Sequence, residues 1–566
     1  MARSGIQAFL DLLAEFGVEY IFGNPGTTEL PLNDALVADR RIQYILGMQE
    51  VPVMAMADGY AMAGQRLAVV NLHISCGLGN AMGMLYTAYR EGTPLLVTAG
   101  QQDRRLRFEE PILGGAMTEV ARPWTKWSVE VQRVEEIPVA LRRAVQTALT
   151  PPTGPVFLSL PIDLQTACSD NLDMAPIRLP DCQVRAPIES LRAACRVLLE
   201  ARNPVILAGS RVTERNAMEE LVRVAELLGA PVYSEAGTTH GRLAFPSTHP
   251  LNAQGLPLWS PEVAARLQDF DVVLVVGMDL LREYVYHEPA RAIPTHLRLV
   301  HIDEDPWQLN KNYALEVGLI GHTRTTLAEL SQWLDESLSE PQRAVIAGRT
   351  ARWSEQHAQA RERVYSQLEQ ERALRPMTPL TLMDSLGRIL PADVAVIEEA
   401  VTTTNTAFER LGVLKNTTGY FSHRGWTLGW GLGCALGAKL AWPERPVLAL
   451  LGEGAAMYGI QGLWSAARYQ IPVTFVVCNN AQYQILKIGA KGLRLPHALQ
   501  GAYEGLDLVM PEIDFVALAR ALGVEAHRVT EPDQLADHAR TALFANRPIL
   551  LDVPIRRETP NRLNYG

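Results

Sequence analysis

The 566-residue sequence exceeds what one hydrophobic core organises, so roughly two to four domains are expected, and three is the division adopted. A composition of 48% hydrophobic and 20% charged residues belongs to a compact globular protein and excludes extensive disorder. With 52 Lys plus Arg against 62 Asp plus Glu, the net charge is −10 and the signs are interspersed, so no basic stripe offers itself to nucleic acid.

Along the chain, residues 1–10 carry no apolar stretch behind a basic region, so neither a secretory signal nor a membrane anchor is expected. Short apolar, β-rich runs then alternate with helical patterns: 67–72, 94–99 and 156–160, next 205–207, 272–276 and 297–302, and finally 394–397, 447–451, 473–477 and 549–553. That alternation predicts three α/β domains, each with a mainly parallel sheet flanked by helices. An acidic, proline-containing segment at 170–187 and a charged helical one at 340–375 read as connectors, placing the domains at 1–170, 188–335 and 376–557. The first and third share length and strand rhythm, as an old duplication would leave them. The longest uncharged stretch, 67–89, contains Asn71, His73, Ser75 and Asn80 and is too polar to span a membrane. Cys76, Cys168, Cys182, Cys195, Cys434 and Cys478 are widely spaced without a CxxC pair, which reads as buried, reduced thiols in a cytoplasmic protein.

Two glycine clusters, Gly77/Gly79/Gly83 and Gly431/Gly433/Gly437, lack the GxGxxG spacing of a dinucleotide site, with Met82 and Leu436 where glycine belongs. Close helix packing and tight turns explain them better. No Walker A sequence and no HExxH helix occur. More informative is the predicted strand 448–451 followed by Gly452-Glu453-Gly454-Ala455, and the later strand that ends in Cys478-Asn479-Asn480. Small residues at a strand end let backbone N–H groups approach a phosphate, and the carboxylate stands where α/β sheets bind ligands. The separation of 480 − 453 = 27 positions allows a helical crossover to an adjacent parallel strand, which delivers an amide oxygen nearby. Carboxylate, amide and backbone carbonyl oxygens suit magnesium, so a diphosphate with its metal is the predicted ligand. Val401 and Thr402, in a hydroxyl-rich segment after the strand 394–397, would add contacts to the same anion.

Glycine, acid, glycine and then a double asparagine at this distance resemble the diphosphate motif of thiamine-diphosphate enzymes. The resemblance implies metal binding by Glu453, Asn480 and the main-chain carbonyl of Gln482, with Gly452, Gly454 and Ala455 beside the diphosphate. The family normally has Asp at the acid position, so the longer Glu453 leaves room for a divalent cation other than Mg2+. The segments 22–31 and 47–50 resemble the family's pyrimidine-binding domain. Glu50 would then be the essential glutamate at N1′ of the aminopyrimidine, a group that can hold or release a proton near neutrality when buried.

Within that family the benzoylformate decarboxylases are the most similar, through the segments 71–75, 97–102 and 421–436. By that likeness Thr27 and His73 would hold the substrate carboxylate and relay protons, Gly26 would adjoin the cofactor, and Leu428 would bend it. The match thins in the central domain, where His287 is a weak pocket candidate. Arg424 is either a pocket cation or one half of a surface salt bridge, and Ile485 and Leu486 would line the substrate pocket. The implied reaction is non-oxidative decarboxylation of a 2-oxo acid to an aldehyde, with carboligation of an aldehyde acceptor to a 2-hydroxy ketone as a side path. A carboligase like acetolactate synthase is the alternative, and a non-catalytic binding module the alternative of another class. A homodimer or homotetramer is implied.

Overall fold

The computed structural model describes residues 2–235, 241–257, 259–282, 291–416 and 418–559. Three six-stranded sheets carry the architecture. The first contains β1 (Tyr20–Asn24), β2 (Gln43–Leu46), β3 (Ala68–Leu72), β4 (Leu95–Gln101), β5 (Trp127–Glu130) and β6 (Val156–Pro161), in the order β2-β1-β3-β4-β6-β5. The second contains β7 (Pro204–Ala208), β8 (Val232–Ser234), β9 (Asn252–Gly255), β10 (Val272–Val276), β11 (Arg298–Asp303) and β12 (Val317–Ile320), in the order β9-β8-β7-β10-β11-β12. The third contains β13 (Ala395–Glu399), β14 (Tyr420–Phe421), β15 (Val447–Gly452), β16 (Thr474–Asn479), β17 (Glu525–Arg528) and β18 (Ile549–Pro554), in the order β14-β13-β15-β16-β18-β17.

Every strand pair in these sheets is parallel. Helices on both faces explain why β3, β4 and β6 are buried along their whole length and mainly apolar, with Asn71, Thr98, Gln101 and Ser159 as the polar exceptions. Numbered within each domain, the first and third sheets have the same strand order, 2-1-3-4-6-5, whereas the central one is 3-2-1-4-5-6. The shared order is the topological counterpart of the shared strand rhythm.

The first and third domains share one core. It runs from Phe22, Val70 and Val97 through the helices α1 (Glu50–Gly64) and α5 (Trp430–Ala441) to Ile397 and Phe475. Those two helices touch backbone to backbone, which is what their glycines permit. A Cβ on Gly437 would stand 1.9 Å from the Met56 carbonyl oxygen, and one on Gly59 would stand 2.2 Å from that of Cys434. The second glycine cluster is therefore a helix contact. The central domain has its own core, and the connector is a 32-residue helix, α3 (Glu340–Glu371), whose buried residues are Val364 and Leu368. Among the described residues no helix is long and apolar enough to cross a membrane.

Candidate active site

Functional side chains gather at the C-terminal ends of the strands in the first and third domains. After β2 the chain turns through Gly47-Met48-Gln49, and the Gln49 side chain caps α1 by accepting from Val51 N–H. Glu50 is the first residue of that helix and is 5% exposed. Its Oε1 accepts from Asn24 Nδ2 at 3.3 Å and its Oε2 from Asn80 Nδ2 at 3.0 Å. Both donors are neutral amides, so the carboxylate is oriented without being neutralised. Gly77 leaves the space beside it, since a Cβ there would lie 3.3 Å from Oε1.

The other cluster follows β1 and β3. Gly26 precedes a short 3-10 turn, Thr27–Glu29, in which Thr27 is exposed and Glu29 buried. His73 caps the helix α2 (Ile74–Glu91), its side chain is 20% exposed, and its Nδ1 lies 2.8 Å from Glu29 Oε2. Gly26 is required here by crowding, because a Cβ would stand 2.0 Å from His73 Nδ1. Ile74 holds φ at +36°, an expensive conformation for a β-branched residue, at the point where the chain leaves β3 for α2. The structure thus sets His73 against the turn that carries Gly26 and Thr27 and adds Glu29, which sequence reasoning passed over.

In the third domain β15 ends at Gly452, and Glu453 opens the helix α6 (Glu453–Gly459) at 4% exposure. The adjacent strand β16 delivers Asn479 and Asn480. One donor, Gln482 N–H, lies 2.9 Å from Glu453 Oε1 and 3.1 Å from Asn480 Oδ1, so these two oxygens converge on one point. The Gln482 side chain points elsewhere, to Lys487 Nζ at 2.9 Å. Its main-chain carbonyl accepts from Gln484 N–H at 2.9 Å and keeps a second lone pair. Carboxylate, amide and carbonyl oxygens together fit a hard divalent cation. Burial raises the Glu453 carboxyl above its ordinary range, only partly opposed by the Gln482 N–H, and a cation in the cradle would offset that cost. Among the described residues no group of three or more His, Cys, Asp or Glu side chains is placed to hold a metal, which leaves mixed oxygen sites of this kind.

Around this cradle, Gly454 accommodates the Tyr483 ring, which a Cβ would approach to 2.6 Å, and Ala455 is 7% exposed beside it. Val401 and Thr402 start the four-residue helix α4 (Val401–Thr404) immediately after Glu399 and Ala400. Glu399 is a second residue that sequence reasoning missed. Its carboxylate accepts from the N–H groups of Gly429, Trp430 and Gly431 at 2.8, 2.9 and 2.9 Å. It thereby caps α5 and anchors the backbone directly after the half-buried Leu428, while burial pushes its carboxyl up to about 7. Ile485 and Leu486 lie in the first turn of α7 (Gln484–Gly492), the former half-buried and the latter 48% exposed.

Two expectations come out differently. Arg424 is closed off, its side chain 2% exposed, with Nε 3.2 Å from Glu91 Oε2 and Nη2 3.2 Å from Glu214 Oε1. Its guanidinium is committed to a buried ion-pair cluster to which all three domains contribute, rather than to a surface pair. His287 lies outside the described residues.

Comparison with known proteins matches the same architecture. Family models for the thiamine pyrophosphate enzyme N-terminal TPP binding domain, central domain and C-terminal TPP binding domain match residues 3–118, 191–330 and 400–553. A benzoylformate decarboxylase of Pseudomonas aeruginosa is 34% identical over 98% of this chain and 99% of its own. A probable acetolactate synthase large subunit of Methanocaldococcus jannaschii is 27% identical over 97% of this chain and 92% of its own. Among solved structures, the thiamine diphosphate-dependent 4-hydroxybenzoylformate decarboxylase of Rhodococcus jostii aligns with a TM-score of 0.86 at 29% identity, covering 99% of this chain and 100% of that one. With three family domains matched along the chain and 34% identity over 98% of it to a benzoylformate decarboxylase, the chain belongs to the thiamine pyrophosphate enzymes, whose cofactor is thiamine diphosphate with a divalent metal.

Proposed function

We propose that this enzyme decarboxylates a benzoylformate-like 2-oxo acid, without oxidation, to the corresponding aldehyde. The observation that carries the reading is Glu50, a buried carboxylate held by two neutral amides at a strand end, ready to share a proton with a ring nitrogen. Similarity to decarboxylases of benzoylformate and 4-hydroxybenzoylformate supports the substrate class.

When bound, thiamine diphosphate supplies the nucleophilic carbon that adds to the oxo carbon and the electron sink for loss of carbon dioxide. Glu50 holds and moves the proton at N1′ of the aminopyrimidine. Glu453 and Asn480 side-chain oxygens and the Gln482 carbonyl would hold the metal, Mg2+ or another divalent ion, since Glu453 stands where the family has Asp. Gly452, Gly454, Ala455, Val401 and Thr402 would bind the diphosphate, Gly26 would adjoin the cofactor, and Leu428 would prop it. His73 and Thr27 orient the substrate carboxylate and exchange protons with the substrate. Ile485 and Leu486 form an apolar wall that excludes water and suits an aromatic substituent.

The site is completed between two copies of the chain, in a homodimer or homotetramer, and the six free cysteines suit a cytoplasmic protein, although only Cys195, Cys434 and Cys478 are buried as expected while Cys76 and Cys168 are exposed. Product analysis with benzoylformate and with pyruvate tests the reading, with benzaldehyde and carbon dioxide from the first expected. Acetolactate from pyruvate as the dominant product would instead favour the carboligase reading, which the 27% identical relative supports.

A further inference from the structure

We propose that Glu29 is the positioning residue of the reaction, holding the hydrogen of His73 on Nδ1 so that Nε2 is the nitrogen that takes up and releases the reaction's proton; this rests on the decarboxylase reading above. Glu29 is 1% exposed, under the ends of β3 and β4. Its Oε1 accepts from Gly100 N–H at 2.8 Å, Thr28 Oγ1 at 2.8 Å and Ile74 N–H at 3.4 Å. Its Oε2 accepts from Gly26 N–H at 3.0 Å and lies 2.8 Å from His73 Nδ1. Every other partner is a donor and none is a cation, so the carboxylate can only accept, and Nδ1 must be the nitrogen that donates. Nε2 has no hydrogen-bond partner among the described residues and belongs to a ring that is 20% exposed.

The slot is built for this pair. A Cβ on Gly26 would stand 2.0 Å from His73 Nδ1, and one on Gly100 would stand 2.5 Å from Glu29 Oε1. The reaction R–CO–COO⁻ + H⁺ → R–CHO + CO2 consumes one proton, the C–C bond breaking as a C–H bond forms. Protonated His73 supplies that proton from Nε2, and water returns one to the same atom. Through both changes Glu29 keeps Nδ1–H in place and compensates the imidazolium charge, as a carboxylate does behind a catalytic histidine.

Glu29→Gln makes the inference testable. An amide nitrogen in the place of Oε1 would confront two backbone N–H groups, whereas in the place of Oε2 it meets only that of Gly26. The amide therefore turns its NH2 toward His73, becomes a donor to Nδ1 and drives the proton to Nε2. Solid-state 15N spectra of histidine-labelled holoenzyme, with His73 assigned by its loss in His73→Ala, should show Nδ1–H in the wild type and Nε2–H in Glu29→Gln. Kinetically, Glu29→Gln should lower kcat on the order of 10²-fold, with cofactor uptake unchanged. The double variant with His73→Ala should be no slower than His73→Ala alone. Additive losses in that cycle, or a neutral wild-type His73 with Nε2–H and no Nδ1–H, overturn the proposal. The wild-type tautomer decides alone if Glu29→Gln does not fold. Because it is read without turnover, failure of the protein to decarboxylate any 2-oxo acid would remove the functional reading while leaving the tautomer result distinct.

Discussion

The acids of the first domain and those of the central domain occupy comparable places, the C-terminal ends of parallel strands, yet they are treated oppositely. Glu29 and Glu50 meet backbone N–H groups, a hydroxyl, two amides and a histidine. In the central sheet, β7 and β10 flank the switch point where open α/β sheets take ligands. There Arg211 Nη2 lies 3.0 Å from Asp279 Oδ1 and 2.8 Å from Asp303 Oδ2, while Arg424 joins Glu91 and Glu214 nearby. Burial works against the Asp279 carboxylate, but Arg211, Arg424 and Arg282 outweigh it and hold that carboxyl below its ordinary range. A carboxylate oriented by neutral donors keeps its charge available to a cofactor or a proton. One paired with arginine is committed to holding domains together.

The comparison breaks if either kind of acid does the other's job. The largest effect is expected from Glu50→Gln, which should lower kcat about 10²–10⁴-fold in steady-state assays while thermal unfolding changes little. Arg424→Ala should do the reverse. Leaving Glu91 and Glu214 uncompensated should cost about 3–5 kcal/mol in chemical denaturation, with kcat per folded enzyme retained. Third in size is the metal cradle. Cofactor and Mg2+ at about 100 times Kd should stabilise the wild type by about 2.7 kcal/mol, read as a rise in Tm, and Glu453→Ala should abolish that rise. Glu453→Asp should keep it and shift the metal preference toward Mg2+.

The smallest effect sharpens the contrast from outside the site. Glu409 is 4% exposed, faces Asn252 Nδ2 at 3.5 Å, and is pushed up by burial from 4.5 to about 7. Between those values the folded protein retains a proton that the unfolded chain has released. Its contribution is therefore full below about pH 4.5 and is lost as pH rises through 7. Glu409→Gln should flatten this slope and make the protein more stable at pH 8 by about 1–3 kcal/mol, measured by denaturation across pH.

Much of the site was legible because its residues sit at strand ends within short motifs. Glu50 follows β2 by a three-residue turn, and Glu453 follows β15 directly, so a linear pattern carries their positions. Glu29 lies within the segment 22–31 but shows no role there, because its defining partners, Ile74 and Gly100, are 45 and 71 positions away. Glu399 escaped for the same reason, its three N–H donors lying 30 to 32 positions downstream. Arg424 was misread because a charged side chain gives no local sign of burial, and its partners come from two other domains.

By itself, then, the chain's order of residues determined the alternation of strands and helices and the carboxylate and amide that end particular strands. Those are properties of neighbours along the backbone. Only the tertiary structure decided which acids face arginine and which face amides and N–H groups. Burial makes that choice, since a charge removed from water takes its character from whatever the fold packs within a few ångströms of it.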